Sequence, residues 1–305
     1  MAHESERISM VNQEAGLDTI LVPLDGSELA ERALPAAQRI AQATGAPLLL
    51  ARIVTITHWN SLSSGYLLAP HIYEEILQNE EQAAGEYLDR KAQEARDAGI
   101  AVTTKVIRGD PASILIDMEP ELHIGLVVMA SHGRTGLARF ALGSVAARVV
   151  RGGQAPVLLI RPFGDAARQT RLEKALVPLD GSALAELALD MVRHLAGAIA
   201  RQVTLVRVVD PDLLTGETDE AKRYLDEART RLVADLGERP CTVSTSILYG
   251  RAAEQILEAS DKDDLIVMAT HGHAGVTRWA FGSVADRVLH HAQVPLLLVR
   301  PHTPR

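Results

Sequence analysis

The chain has 305 residues, 47% hydrophobic and 23% charged, a globular composition long enough for two domains that each bury a core. A formal net charge of −8 with no run of Lys or Arg argues against a sequence-independent grip on nucleic acid phosphates, and no apolar run approaches the roughly 18 residues of a membrane span. The single cysteine, Cys241, excludes an intrachain disulfide framework and cannot make a metal site alone, so it reads as a small buried hydrophobe in a reducing compartment.

Residues 1–17 mix Glu, Arg, Ser, Asn and Gln without the apolar centre of a secretory signal, which predicts a polar tail and a cytoplasmic location. A first domain is expected over 18–162. Its strands are predicted near 19–24, 47–54, 101–107, 125–130 and 156–161, with helical patterns between them. Aromatics are only 3%, so these strands rely on runs such as Leu48-Leu49-Leu50 and Val157-Leu158-Leu159-Ile160. Those runs show no polar alternation, which predicts burial on both faces. The segment Thr57 to Tyr73 is rich in Ser, Gly, Pro and aromatics and reads as an insertion. Residues 163–171 are expected to be a short linker and 172–305 a second domain.

The second domain repeats the first. Ile20-Leu21-Val22-Pro23-Leu24-Asp25-Gly26-Ser27 returns 155 residues later as Ala175-Leu176-Val177-Pro178-Leu179-Asp180-Gly181-Ser182. Val128-Met129-Ala130-Ser131-His132-Gly133 returns 139 residues later as Val267-Met268-Ala269-Thr270-His271-Gly272, and Gly143-Ser144-Val145-Ala146 as Gly282-Ser283-Val284-Ala285. The difference of 16 residues must lie between the two motifs, and Thr57–Tyr73 accounts for it, either as a lid over the first site or as a contact for another chain. Strands alternating with helices make right-handed βαβ units. The expected fold is α/β: two tandem Rossmann-like doubly wound domains, each a five-stranded parallel sheet in order 3-2-1-4-5 flanked by helices.

In such sheets ligands bind outside the carboxyl ends of the strands, where both motifs sit. Gly133, nine further residues, Gly143-Ser144 and a helix starting near Val145 make an anion site, because glycine admits close backbone approach and a helix start presents unpaired N–H groups. Ser144 and Ser283 fit either a helix cap or a phosphate-binding hydroxyl. Asp25 and Asp180 would repel phosphate, so they suit a base or ribose hydroxyls, or else merely cap the first helix. Both motifs occur together, in one order, in both copies, which favours a nucleotide site. Arg134 adds charge to the first loop where the second has His273, so the first site is expected to hold an anion more tightly; a solvated loop residue would also explain Arg134.

These residues resemble the universal stress protein family. The resemblance is carried by the Val-Pro-Leu-Asp-Gly-Ser strand and by the Gly-x2-Gly-x9-Gly-Ser/Thr signature of the ATP-binding branch, here Ala-x2-Gly-x9-Gly-Ser. The endings Gln154 to Pro162 and Gln293 to Pro301 look like the family's last strand, and the whole match runs from about Asp18 to Pro301. It implies nucleoside contacts at Pro23, Asp25, Ile53 and Met129, and phosphate contacts at Gly133, Gly143, Ser144 and Val145. The second copy supplies Pro178, Asp180, Val208, Met268, Gly272, Gly282, Ser283 and Val284. Ala130 and Ala269 depart from the signature's first glycine. A methyl there costs about 1 kcal/mol if φ is positive and only narrows the pocket if φ is negative, and its presence in both copies favours the second case.

The implied cofactor is ATP, with Mg²⁺ or Mn²⁺ compatible with its phosphates. The implied role is a nucleotide-linked sensor or regulator in stress response. No general base, Walker lysine or arginine finger is assignable, so no catalytic residue is named, and the resemblance allows at most slow ATP hydrolysis or autophosphorylation. It also implies that Val157–Ile160 and Leu296–Val299 pair the two domains into a dimer-like unit, leaving open a homodimer of such chains. Two alternatives stand beside this reading. A nucleotide-free interaction scaffold is supported by Ala130 and Ala269, and a metal-dependent hydrolase would have to use His132, His271, His273 or His290-His291 without Cys or clustered carboxylates at ligand spacing. A dehydrogenase is disfavoured because Asp25-Gly26-Ser27-Glu28-Leu29 follows the first strand where Gly-x-Gly-x-x-Gly would stand.

Overall fold

The computed structural model describes residues 17–55, 70–132, 142–161, 170–210, 215–260, 264–270 and 281–300. In the first half the order is β1 (Thr19–Pro23), α1 (Glu28–Glu31), α2 (Ala33–Thr44), β2 (Leu48–Val54), α3 (Pro70–Asp97), β3 (Val102–Arg108), α4 (Pro111–Glu121), β4 (Ile124–Ala130), α5 (Ser144–Gly152) and β5 (Val157–Ile160). The second half continues with β6 (Lys174–Pro178), α6 (Ala183–Leu195), β7 (Gln202–Val209), α7 (Thr215–Leu236), β8 (Thr242–Tyr249), α8 (Ala252–Ser260), β9 (Leu265–Ala269), α9 (Ser283–His291) and β10 (Leu296–Val299).

The ten strands form one sheet in the order β3-β2-β1-β4-β5-β10-β9-β6-β7-β8. Every pairing within a half is parallel, and the halves meet where β5 and β10 run antiparallel, Leu158 opposite Leu297. The last strands therefore join the halves as the resemblance implied. The central strands are buried on both faces because helices cover both. The outermost strands are not: β3 is half-buried with Thr103 and Lys105 exposed, and β8 has one buried residue, Val243. An edge strand has a neighbour on one side only.

Period-2 geometry sends alternate strand residues to opposite faces. Leu48, Leu50, Leu126, Val128, Leu158 and Ile160 pack on the layer of α2, α3, α6 and α7, whereas Leu49, Ala51, Val127, Met129, Val157 and Leu159 pack on α4, α5, α8 and α9. Both clusters continue across the seam. Alanines at 33, 36, 37 and 41 put α2 directly against the sheet, and so a core with few aromatics still closes.

Two arginines, Arg161 buried and Arg300 half-buried, clasp the seam. Arg161, just after β5, donates to the carbonyl of Leu289 in α9; Arg300, just after β10, donates to the carbonyl of Gly153 beyond α5. Each guanidinium thus meets the negative end of the other half's last helix. Burial lowers Arg161 to about 10 and also lowers Arg300, where the Glu119 carboxylate partly offsets the effect.

Candidate functional site

The first site is built by strand ends. The turn after β1 is fixed by Asp25, whose Oδ1 accepts from the Ser27 backbone N–H at 2.9 Å and from its hydroxyl at 2.6 Å. Ser27 in turn caps α1, its Oγ accepting from Ala30 N at 3.2 Å. Gly26, between them, has φ 85°, a left-handed conformation that costs most residues about 1 kcal/mol and glycine nothing. Helix capping, one of the two roles the sequence left open for this turn, is therefore real. It does not remove Asp25 from the crevice, whose wall it forms.

On the other side β4 ends in Met129-Ala130. Ala130 pairs with Ile160 as an ordinary strand residue, and Ala269 pairs with Val299 likewise. Neither has positive φ, so alanine in place of the signature glycine carries no backbone strain. Gly143 N–H donates to the carbonyl of Ser131 at 2.8 Å, drawing the start of α5 against the end of β4. Gly143 itself is the N-cap, with φ −58° and ψ 147°, and no side chain caps this helix. The capping role considered for Ser144 is thereby corrected: Ser144 is the first helical residue, one position too late to cap, and Ser283 stands in the same place after Gly282. Glycine without a capping side chain leaves the first-turn N–H groups facing outward, with the positive end of the helix dipole behind them.

These elements enclose a cavity of about 550 Å³. Of the residues named from sequence for the first copy, it brings together Pro23, Asp25, Ile53, Met129, Ala130, Gly143, Ser144 and Val145. Gly133 and Arg134 lie outside the described residues, as does Gly272. In the second half Pro178 and Asp180 end and follow β6, Val208 is in β7, Met268 and Ala269 end β9, and Gly282, Ser283 and Val284 open α9. The Asp180 turn repeats the first one: Oδ1 accepts from Ser182 N at 2.9 Å and Oγ at 2.6 Å, Ser182 caps α6, and Gly181 has φ 86°.

Some wall residues were missed. Arg52, on β2, lines the cavity with its guanidinium 5.2 Å from the centroid of the Tyr87 ring; Arg207 repeats this over Tyr224 at 5.4 Å. Each interrupts an apolar strand at the same point of the repeat, and that was the available signal. The Tyr87 hydroxyl donates to Glu31 at 3.0 Å, and burial followed by that carboxylate raises its pKa. His132 also lines the crevice, buried, with its Nδ1 3.0 Å from Ser131 Oγ. Burial, and then nearby Arg161, lower its pKa, so the ring is neutral at pH 7 and contributes hydrogen bonding rather than charge.

Among the described residues no group of three His, Cys, Asp or Glu side chains is placed to hold a metal ion. His290 and His291 direct Nδ1 at the carbonyls of Asp286 and Arg287, each at 2.8 Å, as residues of a helix end; His271 and His273 lie outside the described residues. No helix among the described residues is long and apolar enough to cross a membrane.

Comparison with known proteins places these features. The profile of the Universal stress protein family matches residues 16–161 and again 172–300. A universal stress protein of Mycobacterium tuberculosis is 29% identical over 212 residues, 67% of this chain and 70% of that one. One from Mycolicibacterium smegmatis is 28% identical over 298 residues, 92% of this chain and 97% of its own. Among solved structures, a universal stress protein from Archaeoglobus fulgidus superposes with a TM-score of 0.72 at 20% identity, covering 92% of this chain and 98% of that one. At that identity the likeness speaks for the fold.

Proposed function

The chain belongs to the universal stress protein family, with two matching segments in tandem, and from that premise we propose that it binds ATP at the carboxyl edge of its sheet and acts in stress response as a nucleotide-linked sensor or regulator. The observation that carries this reading is the first crevice. A carboxylate-bearing turn at β1 and an uncapped helix start at α5 face one cavity of about 550 Å³, within the usual size of a ligand pocket. The α5 end suits phosphate, since its N–H groups and dipole favour an anion without side-chain charge. The β1 end suits the nucleoside: Asp25 accepts from donors, while Ile53 and Met129 offer apolar surface to a base.

The second half carries the same residues at matching strand ends, and we assign it a second site at Pro178, Asp180, Val208, Met268, Ala269, Gly282, Ser283 and Val284. The proposed division is a tail over 1–17, domains over 18–162 and 172–305, and a linker over 163–171, in a cytoplasmic protein. A Mg²⁺ or Mn²⁺ ion would be held mainly by the phosphates. Bound nucleotide stabilises the form that binds it, and that shift is what a partner can read.

Release and identification of nucleotide from freshly purified protein tests the proposal, with Gly143→Val and Gly282→Val as variants that put a branched side chain in the phosphate path. Adenine nucleotide in both halves, halved by either variant, is the expected result. Absence of nucleotide, together with no thermal shift on adding ATP and Mg²⁺, would leave the protein an interaction scaffold.

A further inference from the structure

Helix α3 leans over the first crevice, and one arginine holds it there. Arg108, the last residue of β3, reaches Glu81 with both Nε and Nη2, the latter at 2.8 Å, and Glu74 with Nη1 at 2.9 Å. The two glutamates are two turns apart on one stripe of α3, so a single guanidinium fork fixes the helix in rotation and tilt. Between them lie Leu77 and Glu80, both lining the crevice. Leu77 also packs on Val54 and Ala84 in a small apolar cluster separate from the main core, and among the described residues that cluster and the arginine tie this end of α3 to the strands. The Arg108 contact keeps the Glu81 carboxylate ionised by lowering its pKa.

The second half lacks this device. Arg108 is opposite Val54 and precedes Gly109, whose N–H donates to Val54 O at 3.0 Å; Tyr249 is opposite Val209 and precedes Gly250, whose N–H donates to Val209 O at 3.0 Å. Tyr249 therefore stands where Arg108 does, and its side chain is 52% exposed. Counting back from the ring that supports each β-strand arginine, Thr218 occupies the place of Glu81 before Tyr224 as Glu81 does before Tyr87.

We propose that Arg108 is a positioning residue of the first crevice: through Glu74 and Glu81 it holds the α3 wall against the nucleoside end, so that the first half grips adenosine-containing ligands more tightly than the second. This rests on the nucleotide reading above and adds a determinant specific to one half. Leu77 and Val54 offer the crevice apolar surface and no donor or cation, so the wall acts on the nucleoside and not on the phosphates.

The test uses the full chain with Gly282→Val, so that the first site reports alone, and measures affinity for ATP, adenosine and inorganic triphosphate by calorimetry. Arg108→Ala is expected to weaken ATP and adenosine by one common factor of about fivefold, as for a wall in place about a fifth of the time, with triphosphate unchanged. Arg108→Lys should fall between, because an ammonium cannot make the fork. Unchanged affinities in Arg108→Ala, or a loss confined to ATP and triphosphate, would overturn the proposal while sparing the nucleotide reading. Failure of the Arg108-containing parent and the wild type alike to bind ATP or adenosine would remove both.

Discussion

The two halves of the sheet carry the same turn almost atom for atom: Asp25 with Ser27 and Asp180 with Ser182 make hydrogen bonds of equal length, around glycines at φ 85° and 86°. Away from those turns the halves diverge in how charge pins their helices. Glu119 in α4 is buried and accepts from the N–H groups of Gln154 and Ala155, the latter at 2.8 Å; Ser260, at the matching place in α8, donates to Leu257 O at 2.7 Å. A Cβ on Gly153 would run into the Glu119 carboxylate, so this glycine is required by close approach. Asp110 caps α4 and pairs with Arg148 at 2.8 Å, where the second half has Arg251 and joins Arg287 to Glu254 at 3.0 Å. The two halves share the backbone of the Asp-Gly-Ser turn and the apolar core, while the polar ties of α4 and α8 differ.

That comparison can be broken most severely at the seam, where the halves are equal. Leu158 and Leu297 face each other, almost wholly buried, so Leu158→Ala and Leu297→Ala should each cost roughly 4 kcal/mol in urea unfolding. Because they share one contact, the double variant should cost less than the sum. Unequal single costs would mean that one half supports the other.

Glu119→Ala should sharpen the contrast. It strands two backbone donors and removes the carboxylate beside half-buried Arg300, which predicts a loss of roughly 3 kcal/mol. Ser260→Ala removes one hydroxyl and should cost about 1 kcal/mol or less. Equal losses would show that the α4 tie is no stronger than its counterpart.

The smallest effect is acid-dependent and confined to the first half. The Arg148 guanidinium, followed by hydrogen bonding from Ser113, holds Asp110 at about 2, below its ordinary 3.8. A depressed carboxylate stabilises fully above its unfolded value and loses that contribution as pH falls through the folded one, so the window runs from about 4 down to about 2. Amide exchange in α4 should accelerate across that window less steeply in Asp110→Asn than in the wild type, with no Asp110-dependent change in α8. A matching difference in α8 would place the titration elsewhere.

The repeat, the apolar runs and the Asp-Gly-Ser and Gly-Ser motifs by themselves determined the strand-helix alternation and the sheet class, whereas the joining of the last strands was implied only by the family resemblance. The first two follow from local physics: burial on both faces demands continuous apolar strands, and a left-handed turn demands glycine. Asp25, Gly143 and Ser144 could be named from motifs at strand ends, Pro23, Ile53, Met129 and Val145 only from the family resemblance, and all of them line one crevice, whereas Gly133 and Arg134 lie outside the described residues. Only the tertiary structure decided that Gly143 rather than Ser144 is the N-cap of α5, since cap position depends on where the Gly143 N–H meets the Ser131 carbonyl. It alone brought Arg52 over Tyr87, Arg108 to Glu74 and Glu81, and Glu119 to the turn after α5. Such pairs join residues tens of positions apart, their charges look like ordinary surface charges in sequence, and their partners are set by how helices lie on the sheet rather than by any local pattern.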